Sequence, residues 1–229
     1  MSFLKVHDHL LQIYGPQHWW PARTPFEVMV GAVLTQNTAW RNVEKAIANL
    51  HAVGALDAEA LLRAPLPRVA QWIRPAGYFN VKATRLRNFC AWYVARGGED
   101  ALRSLETTDL RRELLAINGV GPETADDILL YAFQRPVFVV DAYTRRIFRR
   151  LRLVEGDEPY NELRAHIEAR LRRGRRELVG LYNEYHALIV RHGKDVCKTK
   201  PRCELCWLAC KSRERQAGKS SKALQGAAQ

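Results

Sequence analysis

"LLAINGVGPETADDILLYAF", residues 114–133, is the stretch whose reading decides the fold. Apolar Leu114, Leu115 and Ile117 precede Asn118, and apolar Ala125, Ile128 and Leu129 recur at helical spacing after Pro122. The pattern predicts a helix that ends before Asn118, a Gly119-Val120-Gly121 turn, and a second helix opening at Pro122. A proline and acidic residues in the first turn suit that opening. Two glycines around one aliphatic residue let main-chain N–H groups point outward beside a helix N-terminus. Such a turn can cradle a phosphate without reading base sequence, which makes Gly119, Val120, Gly121, Glu123 and Thr124 candidate contacts to a nucleic-acid backbone. A plain helix-turn-helix connection would use the same residues for structure alone.

Outward from the hairpin the periodicity stays helical. "FLKVHDHLLQIYG" (3–15), "PFEVMVGAVLTQ" (25–36), "WRNVEKAIANLHAVG" (40–54), "NVKATRLRNFCAWYVARGG" (80–98) and "LVGLYNEYHALIVRHG" (178–193) all place apolar residues at helix spacing. Gly or Pro marks most junctions, among them Pro65, Pro67, Pro75, Gly77 and Gly156. "PVFVVDAY" (136–143) has a β-branched run but is short and precedes the helical "TRRIFRRLRL", so it reads as an extended linker entering a helix. The expectation is an all-α protein of about ten short helices, without internal repeats.

Composition narrows the partners. The 229 residues carry a net charge of +12, with 47% hydrophobic residues. The stretch 211–229 contributes +4 and is polar without an apolar face, so it is expected to be a disordered basic tail. The remaining +8 belongs to the folded body and suits a polyanion, most simply nucleic acid. No apolar run is long enough to span a membrane, and the charged, helical N-terminus is not a signal peptide. A cytoplasmic, nucleoid-associated monomer is therefore expected.

Two further features carry chemistry. Asp141 follows four apolar residues in "VFVVDAYTRR" and heads a helix. As an N-cap it would contribute about 1 kcal/mol. A partly desolvated carboxylate there could also stabilise an oxocarbenium-like sugar or orient an attacking water. "CKTKPRCELCWLAC" places Cys197, Cys203, Cys206 and Cys210 at C-x5-C-x2-C-x3-C spacing. Four thiolates in one short loop could bind zinc or a [4Fe–4S] cluster, and spacing does not separate the two. Lys198, Lys200 and Arg202 give that loop positive charge for phosphates. Cys90, between Phe89 and Trp92, reads as a core residue and His192 as structural. The basic runs after Asp141 read as solvated faces, with a phosphate role open to Arg145, Arg146 and Arg149.

Hairpin, Gly/Pro-rich turn and aspartate together resemble the helix-hairpin-helix DNA glycosylase superfamily, in its endonuclease III branch. "FEVMVGAVLTQNT" (26–38), "IRPAGYFNVKATRL" (73–86) and "HGKDVC" (192–197) are similar to further segments of that branch, and the likeness runs over roughly residues 10–210. It implies a two-lobed fold with an iron–sulfur cluster loop. One lobe would hold residues 24–133, and the other would join 1–23 to 134–210. It also implies double-stranded DNA with a damaged base as substrate, and [4Fe–4S] rather than zinc, although the family's usual spacing is C-x6-C-x2-C-x5-C. Gln36 and Asn37 fall in the loop that probes the duplex in this family, where a flat amide could fill the hole left by a flipped base. Helix C-capping would use the same two polar residues.

Where bifunctional members carry a hairpin lysine in Gly-Val-Gly-x-Lys-Thr-Ala, this chain has Glu123. A lysine amine can form a Schiff base with the sugar and drive strand cleavage, and a carboxylate cannot. The departure favours a monofunctional glycosylase that uses water. "HWWP" (18–21) and the neighbouring segments resemble the bacterial 3-methyladenine DNA glycosylase III group, which implies a base pocket of Trp19, Trp20, Pro21 and Trp40 with Lys194 at its edge. Electron-rich indoles would attract a cationic alkylated purine by on the order of 1–3 kcal/mol. A core role is the alternative for the tryptophan pair. A bifunctional lyase acting on oxidised pyrimidines, or a non-catalytic damage-binding module, are the other functional readings.

Overall fold

The computed structural model describes residues 1–20, 22–172 and 177–208. Among these residues every regular element is a helix and no strand is present, as the periodicity predicted. In chain order the α-helices are α1 (Phe3–Tyr14), α2 (Pro25–Thr35), α3 (Trp40–Ala52), α4 (Ala58–Arg63), α5 (Leu66–Trp72) and α6 (Phe79–Ala95). They continue as α7 (Gly98–Arg103), α8 (Thr107–Ala116), α9 (Pro122–Asp127), α10 (Ala142–Arg150), α11 (Tyr160–Leu171) and α12 (Val179–Asp195). The chain forms two compact units: Met1–Trp19 with Phe138–Gln229, and Trp20–Val137. The expected basic tail, 211–229, lies outside the described residues.

The unit Trp20–Val137 is built around α2. Its sequence is apolar on all sides, and a helix of that kind is stable only when wrapped; residues from Glu27 to Leu34 are buried. Thr24 starts it, its hydroxyl accepting the Glu27 N–H at 3.1 Å, with Pro25 in the first turn. Helices α3, α6 and α9 pack around it. Lys82, on α6 and 1% exposed, donates to the carbonyls of Leu34 and Ala76, both at 2.8 Å, and to the Thr38 hydroxyl at 2.6 Å. Three ammonium donors thus meet three acceptors, and the loop after α2 is tied to the turn before α6.

The hairpin forms where the sequence placed it, between α8 and α9. Arg111 on α8 grips Asp126 on α9 through two bonds of 2.6 and 3.2 Å, and Asp126 is fully buried. Beyond α9 the chain widens into a π-helical turn, Ile128–Ala132, which a 3.6-residue period does not reveal. The additional short helices α4, α5 and α7, of six or seven residues, account for a count above the expected ten. In α5 a proline read as a junction, Pro67, sits inside the first helical turn, where its missing N–H is not needed.

In the other unit α12 packs on α1 and α10, and α1 also meets α11. Phe3 meets the Phe148 ring edge-on at 4.9 Å, and the Tyr185 hydroxyl donates to the Phe3 carbonyl at 2.6 Å. Val137–Val140 is buried yet pairs with no strand. Side chains take over its amides instead: Phe138 N–H donates to Glu168 Oε1 at 2.9 Å and Val140 N–H to the Tyr160 hydroxyl at 3.3 Å. This is the physical reason the β-branched run stays a linker. Among the described residues no helix is long and apolar enough to cross a membrane.

Candidate functional site

The unit Trp20–Val137 carries a surface depression of about 440 Å³ lined by Gln36, Asn37, Arg85, Gly119, Val120, Gly121, Glu123 and Thr124. The hairpin turn forms one wall and the end of α2 the other. Gln36 joins them: its Nε2 donates to the Gly119 carbonyl at 3.0 Å and to the Thr124 hydroxyl at 2.9 Å, while its Oε1 accepts from Arg85 Nη1. Gly119 has φ +99°, and any Cβ there would collide with the Arg85 side chain. Both conformation and space therefore require glycine at this corner. Asn37, exposed at the tip of the α2 loop, also lies in the left-handed region with φ +52°. Arg85 was not singled out from the sequence. Its signal is its place one helical turn after Lys82, on the face of α6 that meets the hairpin, where Asn88 also donates to the Asn118 carbonyl at 3.1 Å.

In the other unit Asp141 is 8% exposed and caps α10, Oδ1 accepting the Thr144 N–H at 2.7 Å. Its Oδ2 lies 3.7 Å from His186 Nε2 on α12. Burial alone would raise this carboxyl, but the nearby His186 imidazole and the Thr144 amide outweigh it and hold the pKa below the ordinary carboxylate value. His186 is the partner sequence reasoning missed. It stands 45 residues away in the chain, and its only sequence signal is its helical spacing with Tyr182 and Tyr185 on the buried side of α12.

The aromatic candidates divide between the units. Trp19 belongs to the first, where the Lys194 ammonium lies 5.9 Å from its ring centroid. Trp20 and Trp40 belong to the second, edge to face at 4.8 Å, with Tyr131 4.9 Å from Trp20 on another side. All three tryptophans are half-buried. Gly31 on α2 makes room for the pair, since a Cβ there would stand 3.2 Å from Trp20 and 3.6 Å from Trp40. Pro21 lies outside the described residues.

Cys197, Cys203 and Cys206 are all buried in the loop after α12. Arg150 Nη1 stands 3.1 Å from Cys197 Sγ and donates to the Lys198 carbonyl at 2.6 Å; His192 Nε2 stands 3.7 Å from Cys206 Sγ. The Arg150 guanidinium aimed at the Cys197 sulfur suits a thiolate, so this part of the loop fits a thiolate-held group in its chemistry. Cys210 lies outside the described residues, and among the described residues no three His, Cys, Asp or Glu side chains gather into a metal-holding group. His192 is 1% exposed and its Nδ1 meets the Tyr14 hydroxyl at 2.9 Å, the structural role expected of it. Cys90 is fully buried in the core, its thiol pushed up to about 12 by burial, with Asp57 adding to the shift. Arg145 and Arg146 are turned inward: Arg145 donates to the Glu158 carbonyl at 2.8 Å and Arg146 to the Cys197 carbonyl at 2.8 Å. Both guanidiniums are thus engaged by the chain's own carbonyls. Gly193 lets α12 approach α10, because a Cβ would collide with the Tyr143 ring.

Comparison with known proteins agrees with this architecture. The family described as HhH-GPD superfamily base excision DNA repair protein matches residues 30–173. A Methanocaldococcus jannaschii protein named as a DNA repair glycosylase is 47% identical over 205 residues, covering 88% of this chain and 91% of that protein. Endonuclease III of Thermotoga maritima is 31% identical over 185 residues, 80% of each chain. Among solved structures, an H. pylori 3-methyladenine DNA glycosylase bound to 1,N6-ethenoadenine superposes with a TM-score of 0.73 at 28% identity, over 85% of this chain and 98% of that one. With the helix-hairpin-helix in place and relatives along nearly its whole length, this chain belongs to the HhH-GPD superfamily of base excision DNA repair glycosylases, in its endonuclease III branch.

Proposed function

We propose that the protein is a monofunctional DNA glycosylase that acts as a monomer on double-stranded DNA and releases alkylated, cationic bases. The observation that carries this reading is Glu123. It lines the hairpin depression at the position of the bifunctional enzymes' lysine, and no lysine is among the described residues lining that depression. A carboxylate offers no amine for a Schiff base, so in this reading water is the nucleophile. The indoles of Trp19, Trp20 and Trp40 favour a cationic aromatic ring over a neutral one. The likeness to a 3-methyladenine DNA glycosylase supports the same substrate class.

In this reading the amides of Gly119 and Gly121 hold a phosphate, Val120 lies between them with its own N–H donated to the Ile117 carbonyl at 3.0 Å, and Glu123 and Thr124 complete that contact. Gln36 and Asn37 enter the duplex where the base leaves. Trp20 and Trp40, edge to face at 4.8 Å, receive the base. Asp141, ionised under the influence of His186 and the Thr144 amide, faces the sugar as positive charge grows at C1′. The C1′–N bond breaks with its electron pair going to the base, which leaves neutral because the alkylated ring was a cation. A water oxygen then bonds to C1′, and its proton passes by way of Asp141 to solvent.

Cys197, Cys203, Cys206 and Cys210 would together hold a [4Fe–4S] cluster. Its contribution is to shape the loop so that Lys198, Lys200 and Arg202 face phosphate. Release of free base from alkylated duplex with the strand left whole tests this function.

A second reading rests on Lys194, whose ammonium lies beside Trp19. Were that amine to reach the sugar, the enzyme would be a bifunctional lyase like the endonuclease III relatives. Borohydride would then trap a covalent adduct on abasic DNA, and Lys194→Ala would abolish it.

A further inference from the structure

The hairpin depression holds a cation that the hairpin motif itself does not supply. Arg85 comes from α6, is half-buried, and is the only positively charged side chain among the described residues lining the depression. Its stem lies against Gly119, closely enough that only a hydrogen fits there. Its guanidinium is spent on an uncharged partner, the Oε1 of Gln36. The other end of that amide is held by Gly119 and Thr124. In the free protein both Nε2 hydrogens of Gln36 are thus engaged, and its Oε1 is held by Arg85, so the amide is fixed in place across the depression.

We propose that Arg85 is a two-position phosphate ligand that releases Gln36 when DNA arrives. A phosphate oxygen seated on the hairpin amides is an ionised acceptor within the same depression, and a guanidinium, able to bond it through two parallel N–H groups with charge on both partners, prefers it to an uncharged amide carbonyl. Arg85 exchanges Gln36 for the phosphate, and the freed carbonyl end of the amide turns toward the duplex. Backbone engagement and base probing are thereby coupled through one side chain. The inference rests on the reading that the hairpin grips DNA, but not on which base is excised.

A double-mutant cycle on undamaged duplex DNA tests it, with binding of the full chain followed by fluorescence anisotropy over a range of salt concentrations. Gln36→Ala leaves Arg85 unrestrained, so affinity for undamaged DNA rises about two- to fivefold, the worth of one hydrogen bond. In the Arg85→Gln background the same substitution gives no gain. Arg85→Gln alone lowers the slope of log affinity against log salt by about one, whereas Arg85→Lys preserves it. Arg85→Lys retains charge and stem, and reads the effect of Gln36→Ala even if Arg85→Gln does not fold. Unchanged or weaker binding by Gln36→Ala, or an unaltered salt slope in folded Arg85→Gln, overturns the proposal. Failure to release an alkylated base while these binding effects appear would overturn the substrate reading and leave Arg85 in place.

Discussion

Asp141 and His186 face each other across 3.7 Å in the packing of α10 on α12, while the other oxygen of the carboxylate caps α10 through the Thr144 amide at 2.7 Å. One side chain therefore both starts a helix and presents a buried negative charge, and the two roles can be separated. Asp141→Asn keeps a capping oxygen and loses the charge. It should fold with stability within about 1 kcal/mol of the parent while slowing base release on the order of a hundredfold or more. Single-turnover excision beside thermal unfolding checks both. Equal excision by the two proteins would remove Asp141 from the chemistry.

Glu123 defines a gain-of-function experiment. Lysine in its place restores an amine to the hairpin frame, and Glu123→Lys should form a borohydride-trappable adduct with abasic DNA that the parent protein does not. A variant that binds DNA and is still not trapped would show that the hairpin is not where the sugar lies.

The Arg111–Asp126 pair clamps the two hairpin helices, with Asp126 fully buried. Removing one partner strands a buried charge. Arg111→Met is expected to cost about 3 kcal/mol of unfolding free energy, read by urea denaturation. Because the turn glycines would then be held less firmly, DNA affinity should fall as well. A loss below about 1 kcal/mol would place the pair among ordinary surface ion pairs.

Lys82 carries a pH signature. Burial first, and then the neighbouring Arg85 charge, hold its ammonium down to about 8, against 10.5 for the ordinary side chain. Between those values the unfolded chain binds the proton and the folded protein does not. Folding stability therefore gains a contribution that rises with pH from about 8 toward 10.5. Lys82→Met, although less stable at neutral pH because three acceptors lose their donor, should lack that rise. Denaturant titrations of both proteins across the window measure the difference; parallel curves would contradict it.

How much of this could be read from the residues differs from place to place. The hairpin was legible because its chemistry is local: Gly119 needs a left-handed φ, Pro122 and the acids suit a helix start, and the flanking apolar residues keep one period. The linker before Asp141 was legible for the same reason. The partners were not. His186 meets Asp141, and Arg85 meets Gln36, only after helices far apart in sequence have packed, and nothing in helical spacing marks a histidine or arginine for such a meeting. Arg145 and Arg146 also have partners that the sequence does not reveal. A dense basic run suggests phosphate, yet carbonyls near Glu158 and Cys197 occupy these two side chains. The π-helical turn Ile128–Ala132 was also hidden, because one wide turn scarcely disturbs the spacing of buried residues.

The most direct test of the function is a single-turnover incubation of the protein with duplex DNA carrying one alkylated purine, scored in parallel for free base and for strand breaks before any alkali. With Glu123 in the hairpin, free base should accumulate while the strand stays whole until alkali is added. Strand cleavage in step with base release would contradict the monofunctional reading and direct attention to Lys194. No release at all from alkylated DNA would contradict the proposed substrate.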